Sequence, residues 1–318
     1  MTVLIIAREE DAHTRAVVRK IRQIGSEAVV ADLSGFPRRD RLSISYLCCG
    51  ERRFQFTIAG REHDLEEFGA VWWRRPQQPV ISGDIAAGAH RMFAANEAGE
   101  ALYGLWYALE AFWVNDPAKD HVAHRKIMQL RVAQDCGFVL PDTLITNDTG
   151  RARGFIDRHG YRNVVYKSFS ALEEAWRETR VLRTDEIALL DYVQYAPVIF
   201  QEYIEAEYDL RITVVGDEIF PAAIYSQQTS YPVDFRMDMA NARICPAELP
   251  DQIQTRLRDF MGRLGLQYGA IDMRLRPDGE YVFLEINPAG QWLFVEEVTG
   301  QPIAESLARL LIAGEIRR

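Results

Sequence analysis

The sequence of 318 residues contains few cysteines, and their positions suit neither a metal site nor a secreted fold. They are Cys48, Cys49, Cys136 and Cys245. Zinc sites and the disulfide frameworks of small secreted domains need cysteines at recurring, closely matched spacings. We therefore expect reduced thiols, most of them buried, in a cytoplasmic protein.

Long apolar runs are also missing. The N-terminal stretch MTVLIIAREED is too short for a signal peptide, and acidic residues follow it at once. The longest apolar passage, Ala101–Val114, is interrupted by Glu110 and is shorter than a membrane-spanning helix. These absences predict that the protein does not enter a membrane and stays in the cytoplasm.

The chain has no excess of positive charge. Its formal net charge of −9 argues against nonspecific binding to nucleic acid, whose phosphate backbone attracts basic proteins. With 48% hydrophobic and 26% charged residues, the composition is that of a soluble globular protein. The length permits two or three packed units.

Two common signatures of enzymes are absent. The junction after the first predicted strand reads AREEDAHT and lacks the closely spaced glycines of a dinucleotide site. The six histidines form no Ser-His-Asp or Cys-His arrangement, and we interpret His121 and His124 as surface residues. The sequence therefore predicts neither a dinucleotide site at this junction nor a Ser-His-Asp or Cys-His nucleophile.

Alternating strand and helix patterns in the first hundred residues predict a small α/β layer. Strands are predicted at Thr2–Ala7, Glu27–Asp32, Ala70–Trp73, Asn163–Ser168 and Pro197–Ile204. Helices are predicted at His13–Ile24, His90–Trp113, from Lys119 or Asp120 to Cys136, at Pro250–Leu264 and at Ile303–Ala313. A hairpin is predicted for Asp209–Val215 and Glu218–Ile224, because Gly216-Asp217 is a favoured two-residue turn.

A second predicted hairpin, GAIDMRLRPDGEYVFLEINPAGQ at Gly269–Gln291, is the most informative stretch. Its Pro-Asp-Gly turn places Asp272 nearly opposite Glu285, while Asn287 shares a face with Glu285. These hard oxygen ligands, without a nearby histidine or cysteine, favour magnesium over zinc or copper. Residue spacing alone is equally compatible with a surface hairpin whose acids are solvated.

Basic residues precede this hairpin in a consistent order. Lys126 lies in a predicted helix, Lys167 ends the strand VVYKS, and an apolar-flanked QEYI follows at Gln201–Ile204. Lysines offset phosphate charge, and carboxylates hold the metal ions that bridge phosphate oxygens. The order is therefore what a magnesium–triphosphate site requires.

With these residues in this order, the sequence resembles the ATP-grasp superfamily, and more narrowly the ribosomal-peptide maturases of the microviridin, or graspetide, type. The likeness spans most of the chain. The segments that show the likeness are VWWRRP at Val71–Pro76, VVYKS at Val164–Ser168, the run Phe200–Gln227 and the run Gly269–Glu296.

The resemblance implies an α/β fold with three parts. They are an N-terminal Rossmann-like pre-ATP-grasp domain (1–115), a central ATP-grasp subdomain (116–199) and a C-terminal subdomain (200–318). The C-terminal part would contain an antiparallel sheet with the magnesium-binding hairpin.

The resemblance also implies residue roles. Lys126 and Lys167 match phosphate-binding lysines, and Gln201, Glu202, Tyr203 and Ile204 match the hinge that reads adenine. Asp209 matches a ribose or substrate contact, Arg211 and Arg274 match arginines for the γ-phosphate or the reacting carboxylate, and Asp272, Glu285 and Asn287 match ligands of two Mg2+ ions. Catalysis would rest on Lys167, Arg211 and Arg274, while Arg74, Arg75 and Arg274 would hold an acidic peptide core.

One feature departs from the wider superfamily. The segment after Lys167, SFSALEEAW, contains no glycine, whereas many ATP-grasp enzymes cover the triphosphate with a glycine-rich loop. Ser168 or Ser170 would then be weak substitutes for that loop.

By the same resemblance, the substrate is a ribosomal precursor peptide with a leader and an acidic core, and the enzyme is a homodimer. Asp or Glu side chains would be activated as acylphosphates and joined to Thr or Ser hydroxyls or to Lys amines, giving ω-esters or ω-amides. Replacing Arg274 by alanine is then expected to impair peptide processing more than ATP binding.

Two other functions stay open at this point. An ATP-dependent ligase that adds glutamate or another amino acid would need nearly the same nucleotide and metal residues. A catalytically silent peptide-binding scaffold would be expected to lack magnesium ligands, whereas Asp272, Glu285, Asn287 and both lysines are present.

Overall fold

The structure is a computed structural model that describes residues 2–169, 179–231 and 233–314. Its strands are β1 (Thr2–Ile6), β2 (Glu27–Ala31), β3 (Leu42–Tyr46), β4 (Arg52–Ile58), β5 (Arg61–Asp64), β6 (Ala70–Trp73), β7 (Phe112–Val114), β8 (Thr143–Thr146), β9 (Val164–Lys167), β10 (Arg180–Val181), β11 (Val198–Glu202), β12 (Tyr208–Val215), β13 (Glu218–Ile224), β14 (Ile244–Pro246), β15 (Tyr268–Leu275) and β16 (Tyr281–Asn287). Its α-helices are α1 (Ala12–Gln23), α2 (Gly88–Ala108), α3 (Pro117–Ala123), α4 (Lys126–Asp135), α5 (Thr149–His159), α6 (Thr184–Ile187), α7 (Asp251–Leu264), α8 (Leu293–Thr299) and α9 (Ile303–Ala313). None of these described helices is both long enough and apolar enough to cross a membrane.

The N-terminal unit is built on a parallel sheet with strand order β2-β1-β6-β7. A second, antiparallel sheet, β3-β4-β5, lies beside it. Helix α1 begins where Asp11 caps the Thr14 amide, and the chain turns after it at Gly25, whose φ of 88° suits glycine. The predicted α/β layer is thus present.

Strand β1 is buried on both of its faces, as expected for a strand inside a parallel sheet. Val3 and Ile5 pack in one hydrophobic cluster, and Leu4 and Ile6 pack in another. The first cluster also contains side chains of the C-terminal helix α9. The two ends of the chain therefore share one core.

The central sheet has the order β10-β9-β11-β8 and is antiparallel throughout. Strand β11 pairs with both β8 and β9, and it runs through the expected domain boundary at 199–200. We therefore propose that the central subdomain extends to the end of β11, with the division at 115–116 kept as expected.

The C-terminal sheet has five strands in the order β14-β13-β12-β15-β16. Helix α7 covers one face with Leu257 and Phe260, which are fully buried against Ile212 and Phe283 in the same cluster. Both predicted hairpins form, β12 with β13 and β15 with β16. The antiparallel sheet expected for this region is confirmed.

Two helix predictions were wrong. The helix predicted for His90–Trp113 ends at Ala108, because Phe112–Val114 pairs with β6 as the parallel strand β7. The helix predicted to end at Cys136 is interrupted at His124, so that α3 and α4 are separate. This break places Lys126 in the first turn of α4, where its side chain reaches the C-terminal sheet.

Candidate active site

A cleft lies between the central and the C-terminal sheets. The central sheet contributes Lys167 and the hinge Gln201–Ile204, and the C-terminal sheet contributes Asp272, Arg274 and Glu285. The structure therefore brings together residues that are up to 118 positions apart in sequence, from Lys167 to Glu285.

The hinge is held by the central sheet. The amide of Gln201, a residue only 2% exposed, donates to the Thr143 hydroxyl at 2.9 Å. The Tyr203 N–H donates to the Asn163 carbonyl at 2.7 Å, and the Glu202 N–H donates to the Asp142 carbonyl at 2.9 Å. Within residues 2–169, 179–231 and 233–314, the Ile204 N–H has no hydrogen-bond partner. That amide is consequently available at the wall of the cleft.

The acidic hairpin has the register that its sequence predicts. Asp272 pairs directly with Glu285 across β15 and β16, and the register shifts immediately after Asp272. Asn287 ends β16, where its side-chain oxygen accepts from the Ala289 N–H at 3.1 Å. Asp272 and Glu285 therefore face the cleft as a pair, with Asn287 two residues further along the strand.

Glu285 pairs with both of the predicted phosphate-binding lysines. Its carboxylate oxygen is 2.9 Å from the Lys126 ammonium and 4.0 Å from the Lys167 ammonium. Although burial alone would raise the pKa of Glu285, these lysines hold it well below its ordinary value. Burial also lowers the pKa of Lys167, against the attraction of Glu285. The site thus keeps a carboxylate charged by surrounding it with cations.

The surroundings of Asp272 shift its pKa in the opposite direction from that of Glu285. Burial raises its pKa, and the neighbouring charge of Glu285 adds to that rise, whereas Arg211 opposes it. Arg211 contacts both oxygens of Asp272 at 2.9 and 3.0 Å. A cation placed between Asp272 and Glu285 would relieve the repulsion between them.

Gln129 supports the hairpin from outside the sheet. Strand β16 is an edge strand, so its outer backbone groups have no neighbouring strand. The buried Gln129 amide donates to the Ile286 carbonyl at 2.9 Å and accepts from the Ile286 N–H at 3.2 Å. It therefore fixes the backbone between Glu285 and Asn287, on the same helix that supplies Lys126.

Arg274 and Asp209 are placed differently from the roles that the resemblance implies. Arg274 is 4% exposed; it pairs with Asp209 at 2.7 Å and donates to the carbonyls of Ile204 at 2.7 Å and Val233 at 3.0 Å. The other Asp209 oxygen accepts from the Ser226 hydroxyl. Both residues line the cleft, but these polar contacts are all to the protein itself, so we propose that they support the hinge in place of contacting ribose or a reacting carboxylate.

Arg74 also departs from its expected role. Its side chain is 1% exposed and donates to the Ala289 carbonyl at 2.6 Å, which does not fit contact with a peptide. Arg75 is exposed and donates to the same carbonyl at 2.9 Å. The side chains of Arg74 and Arg75 thus point toward the same carbonyl, and the backbone of Arg75 is left-handed, with φ of 48°. Only Arg75 of this pair stays a candidate for peptide contact.

A cationic side chain that the sequence patterns did not single out completes the cleft. Arg236 pairs with Asp234 at 2.5 Å and lies near the charges of Glu285 and Asp272. Burial lowers its pKa, but the carboxylates of Asp234, Glu285 and Asp272 together raise it above its ordinary value, so the guanidinium stays charged. The sequence VDFRMD contains no strand pattern or glycine that would have indicated this position. Of the serines considered as covers for the γ-phosphate, Ser170 lies outside the described residues.

The fold of the chain is also found in a solved structure. The macrocyclase MdnC from Microcystis aeruginosa MRC, solved with its precursor peptide MdnA, is 30% identical to this chain. The match covers 99% of this chain and 100% of that one, with a TM-score of 0.88. This chain belongs to the ATP-grasp peptide macrocyclases.

Other comparisons agree with membership in the ATP-grasp peptide macrocyclases. The RiPP-associated ATP-grasp ligase of Chryseobacterium gregarium, solved with ADP and a leader and core peptide, is 29% identical over 98% of this chain and 96% of that chain, with a TM-score of 0.89. The macrocyclase MdnB from Microcystis aeruginosa MRC is 28% identical over 98% and 99%, with a TM-score of 0.83. Residues 2–121 match the family model of the MvdD pre-ATP grasp domain. No curated protein matches the chain.

The family membership confirms the ATP-grasp fold and an ADP-forming ligase activity. The silent-scaffold alternative is set aside, because the lysines and carboxylates that such a ligase needs converge in one cleft. Within the described part of the chain, no group of three or more His, Cys, Asp or Glu side chains forms a metal site by itself. Asp272 and Glu285 would thus share a magnesium ion with other oxygen donors.

Proposed function

We propose that this macrocyclase activates Asp or Glu side-chain carboxylates of a ribosomal precursor peptide with ATP. The activated carboxylates are joined to Thr or Ser hydroxyls, as ω-esters, or to Lys amines, as ω-amides. The observation that carries the proposal is that Lys126 and Lys167 both approach Glu285, which lies opposite Asp272, in a cleft that is also lined by the hinge Gln201–Ile204.

The cleft provides for each part of the nucleotide. The Ile204 amide and the hinge carbonyls are suited to the edge of adenine, which offers one acceptor next to one donor. Lys126 and Lys167 would offset the phosphate charge, leaving Glu285 free to bind a metal ion. ADP in the Chryseobacterium gregarium relative supports this assignment.

The oxygen donors fit magnesium. Asp272, Glu285 and Asn287 supply two carboxylates and one amide oxygen, and a cation would offset the charge of Asp272 and Glu285, which lie directly opposite each other. Bound magnesium supplies charge neutralisation to the phosphates during transfer. We propose two ions, since the three protein ligands leave most coordination positions to phosphate oxygens and water.

The chemistry follows from the weakness of a carboxylate as an acylating agent. A carboxylate oxygen attacks the γ-phosphorus, ADP leaves, and an acylphosphate forms. The hydroxyl or amine then attacks the acyl carbon, and phosphate leaves with the former carboxylate oxygen. Lys167, Arg211 and Arg236 would stabilise the charge that develops on the phosphoryl group, a role supported by their proximity to Asp272 and Glu285.

Arg75 and Arg236 are candidate cations for holding an acidic peptide core. Arg75 is exposed, and the Arg236 side chain is 47% exposed although it lies next to the metal carboxylates. A bound leader would raise the effective concentration of the core at these residues. The precursor peptides bound to MdnC and to the Chryseobacterium gregarium ligase support a peptide partner.

We also propose a homodimer in the cytoplasm. Helix α2 leaves four large side chains outside the core, Met92 (66% exposed), Phe93 (66%), Tyr103 (41%) and Tyr107 (59%). Large exposed apolar side chains grouped on one helix are typical of an interface. Light scattering would test this assembly, with Phe93→Glu expected to give the monomer.

Mass spectrometry separates this function from the remaining alternative, an amino-acid ligase. The protein is incubated with a candidate precursor peptide, ATP and Mg2+, with and without free glutamate. A macrocyclase removes one water for each bond formed, whereas an amino-acid ligase increases the mass of its acceptor. Mass gain that depends on glutamate would overturn the proposal, and a Lys167→Met variant is the control for ATP-dependent turnover.

A further inference from the structure

Four consecutive backbone carbonyls directly after β16 are each held by a buried side chain. We call the carbonyls of residues 288–291 the carbonyl row. The donors, in order from 288 to 291, are Asn115 (3.2 Å), Arg74 (2.6 Å), Tyr268 (2.7 Å) and Arg211 (2.7 Å).

The four donors are shielded from water. Arg74, Asn115 and Tyr268 are each 1% exposed, and Arg211 is 7% exposed. Arg74 donates a second time, to the carbonyl of residue 290 at 3.0 Å. Loop carbonyls at a protein surface usually bind water, so donors of this kind fix the peptide planes of a loop much more firmly.

The carbonyl row connects to the predicted magnesium site through Arg211. One terminal nitrogen of Arg211 donates to the carbonyl of residue 291, and the other contacts both Asp272 oxygens at 2.9 and 3.0 Å. A guanidinium is planar and rigid, so a displaced carbonyl at 291 would rotate the group that orients Asp272.

Close packing leaves the carbonyl row little freedom. A Cβ atom at Gly290 would lie 2.3 Å from the Ala270 Cβ and 2.8 Å from the Arg211 Nη2. Glycine is therefore needed at 290 for the close approach of Arg211. Any movement of the row has to move Arg211 as well.

We infer that Arg74 is a positioning residue for magnesium binding. Arg74 follows β6 of the N-terminal sheet, whereas Asp272 lies in the C-terminal sheet. By holding the carbonyls of 289 and 290, Arg74 fixes the row, the row fixes Arg211, and Arg211 orients the Asp272 carboxylate. The N-terminal unit therefore contributes to metal binding without touching the metal or the substrate. This inference rests on the proposed function.

The test measures the Mg2+ concentration that gives half-maximal ATP turnover in the variant Arg74→Gln. We expect this concentration to rise about tenfold or more, since Asp272 loses its fixed orientation. The affinity for ADP without magnesium is expected to stay within about twofold, because the hinge lies at the other end of the cleft. Tyr268→Phe, which removes one donor of the row, should give a smaller rise in the same direction.

Three control variants make the result specific. Ile21→Ala lies in the buried face of α1 and lowers stability without touching the row, so it controls for loss of folded protein. Arg39→Gln removes an exposed guanidinium of the same unit that pairs with Asp40. In an Asp272→Asn background, Arg74→Gln should cause no further rise in the half-maximal Mg2+ concentration.

An unchanged half-maximal Mg2+ concentration in Arg74→Gln would overturn the inference, whatever its effect on the yield of folded protein. So would an equal rise in Ile21→Ala. If Arg74→Gln does not fold, Tyr268→Phe decides the matter by the same measurement. Failure of the proposed function is distinguishable, because the unmodified protein would then show no magnesium-dependent ATP turnover with a precursor peptide.

Discussion

The buried pair of Arg274 and Asp209 gives the sharpest prediction about the hinge. Replacing Arg274 by methionine keeps the length of the side chain but removes the charge. Among the residues that the structure describes, the Asp209 carboxylate, 4% exposed, then keeps only the Ser226 hydroxyl as a hydrogen-bond partner. The carbonyl of Ile204 loses a donor at 2.7 Å, and the carbonyl of Val233 loses one at 3.0 Å.

The magnitude follows from these contacts. Leaving one partner of a buried ion pair unpaired costs about 3–5 kcal/mol of unfolding free energy. The freed Ile204 carbonyl loosens the hinge, and an unmade buried hydrogen bond costs about 1–3 kcal/mol. We therefore expect the affinity for ADP to fall by about tenfold, which corresponds to about 1.4 kcal/mol.

The assay combines urea unfolding with calorimetric titration of ADP. The double variant Arg274→Met with Asp209→Leu removes both charges, so it should recover most of the lost stability. It should not recover ADP affinity, because the Ile204 carbonyl still lacks its donor. The reasoning would be refuted if Arg274→Met bound ADP normally and lost only peptide processing. That result would restore the substrate contact that the family resemblance implies.

Three further predictions concern other parts of the site. Burial, helped by the charge of Arg74, lowers the pKa of His13 to about 4 from an ordinary 6.5. The stability that the neutral His13 contributes is therefore complete above pH 6.5 and is lost as the pH falls toward 4, by up to about 3 kcal/mol. Urea unfolding of the His13→Gln variant should show a weaker pH dependence, whereas the control variant His90→Gln should keep the pH dependence of the unmodified protein. Lys126→Met should weaken ATP binding by about 10- to 100-fold in calorimetry, because a charge-assisted hydrogen bond contributes about 1.5–3 kcal/mol. The control variant Lys119→Met should bind ATP normally. Gln129→Leu should speed hydrogen exchange of the Ile286 amide, which loses its acceptor at 3.2 Å, and unchanged exchange would contradict its role at the sheet edge.

The strands that form the site could be predicted from sequence because their patterns are local. The Pro-Asp-Gly turn fixed the register of the acidic hairpin, and the structure confirms Asp272 opposite Glu285. Helix α9 has the same bounds as its periodicity indicates. The turn at Gly216-Asp217 likewise gives the predicted pairing of β12 with β13.

Contacts between distant segments could not be predicted in this way. Trp113 continues an apolar run whose pattern predicts a helix, but the segment that contains Trp113 pairs with β6 and forms strand β7. Tertiary pairing outweighs local propensity at such positions. The burial of Arg74 and Arg274 could not be predicted either. The sequence of a motif that contains arginine is the same whether the guanidinium donors contact a peptide or backbone carbonyls.

The central claim is that a peptide carboxylate becomes an acylphosphate in the cleft between the two sheets. It is tested most directly with a precursor peptide whose side-chain carboxylates contain a heavy oxygen isotope. Incubation with the protein, ATP and Mg2+ should transfer one labelled oxygen to inorganic phosphate for each bond formed, together with one ADP. Label that stays out of phosphate while bonds form, or AMP in place of ADP, would contradict the account.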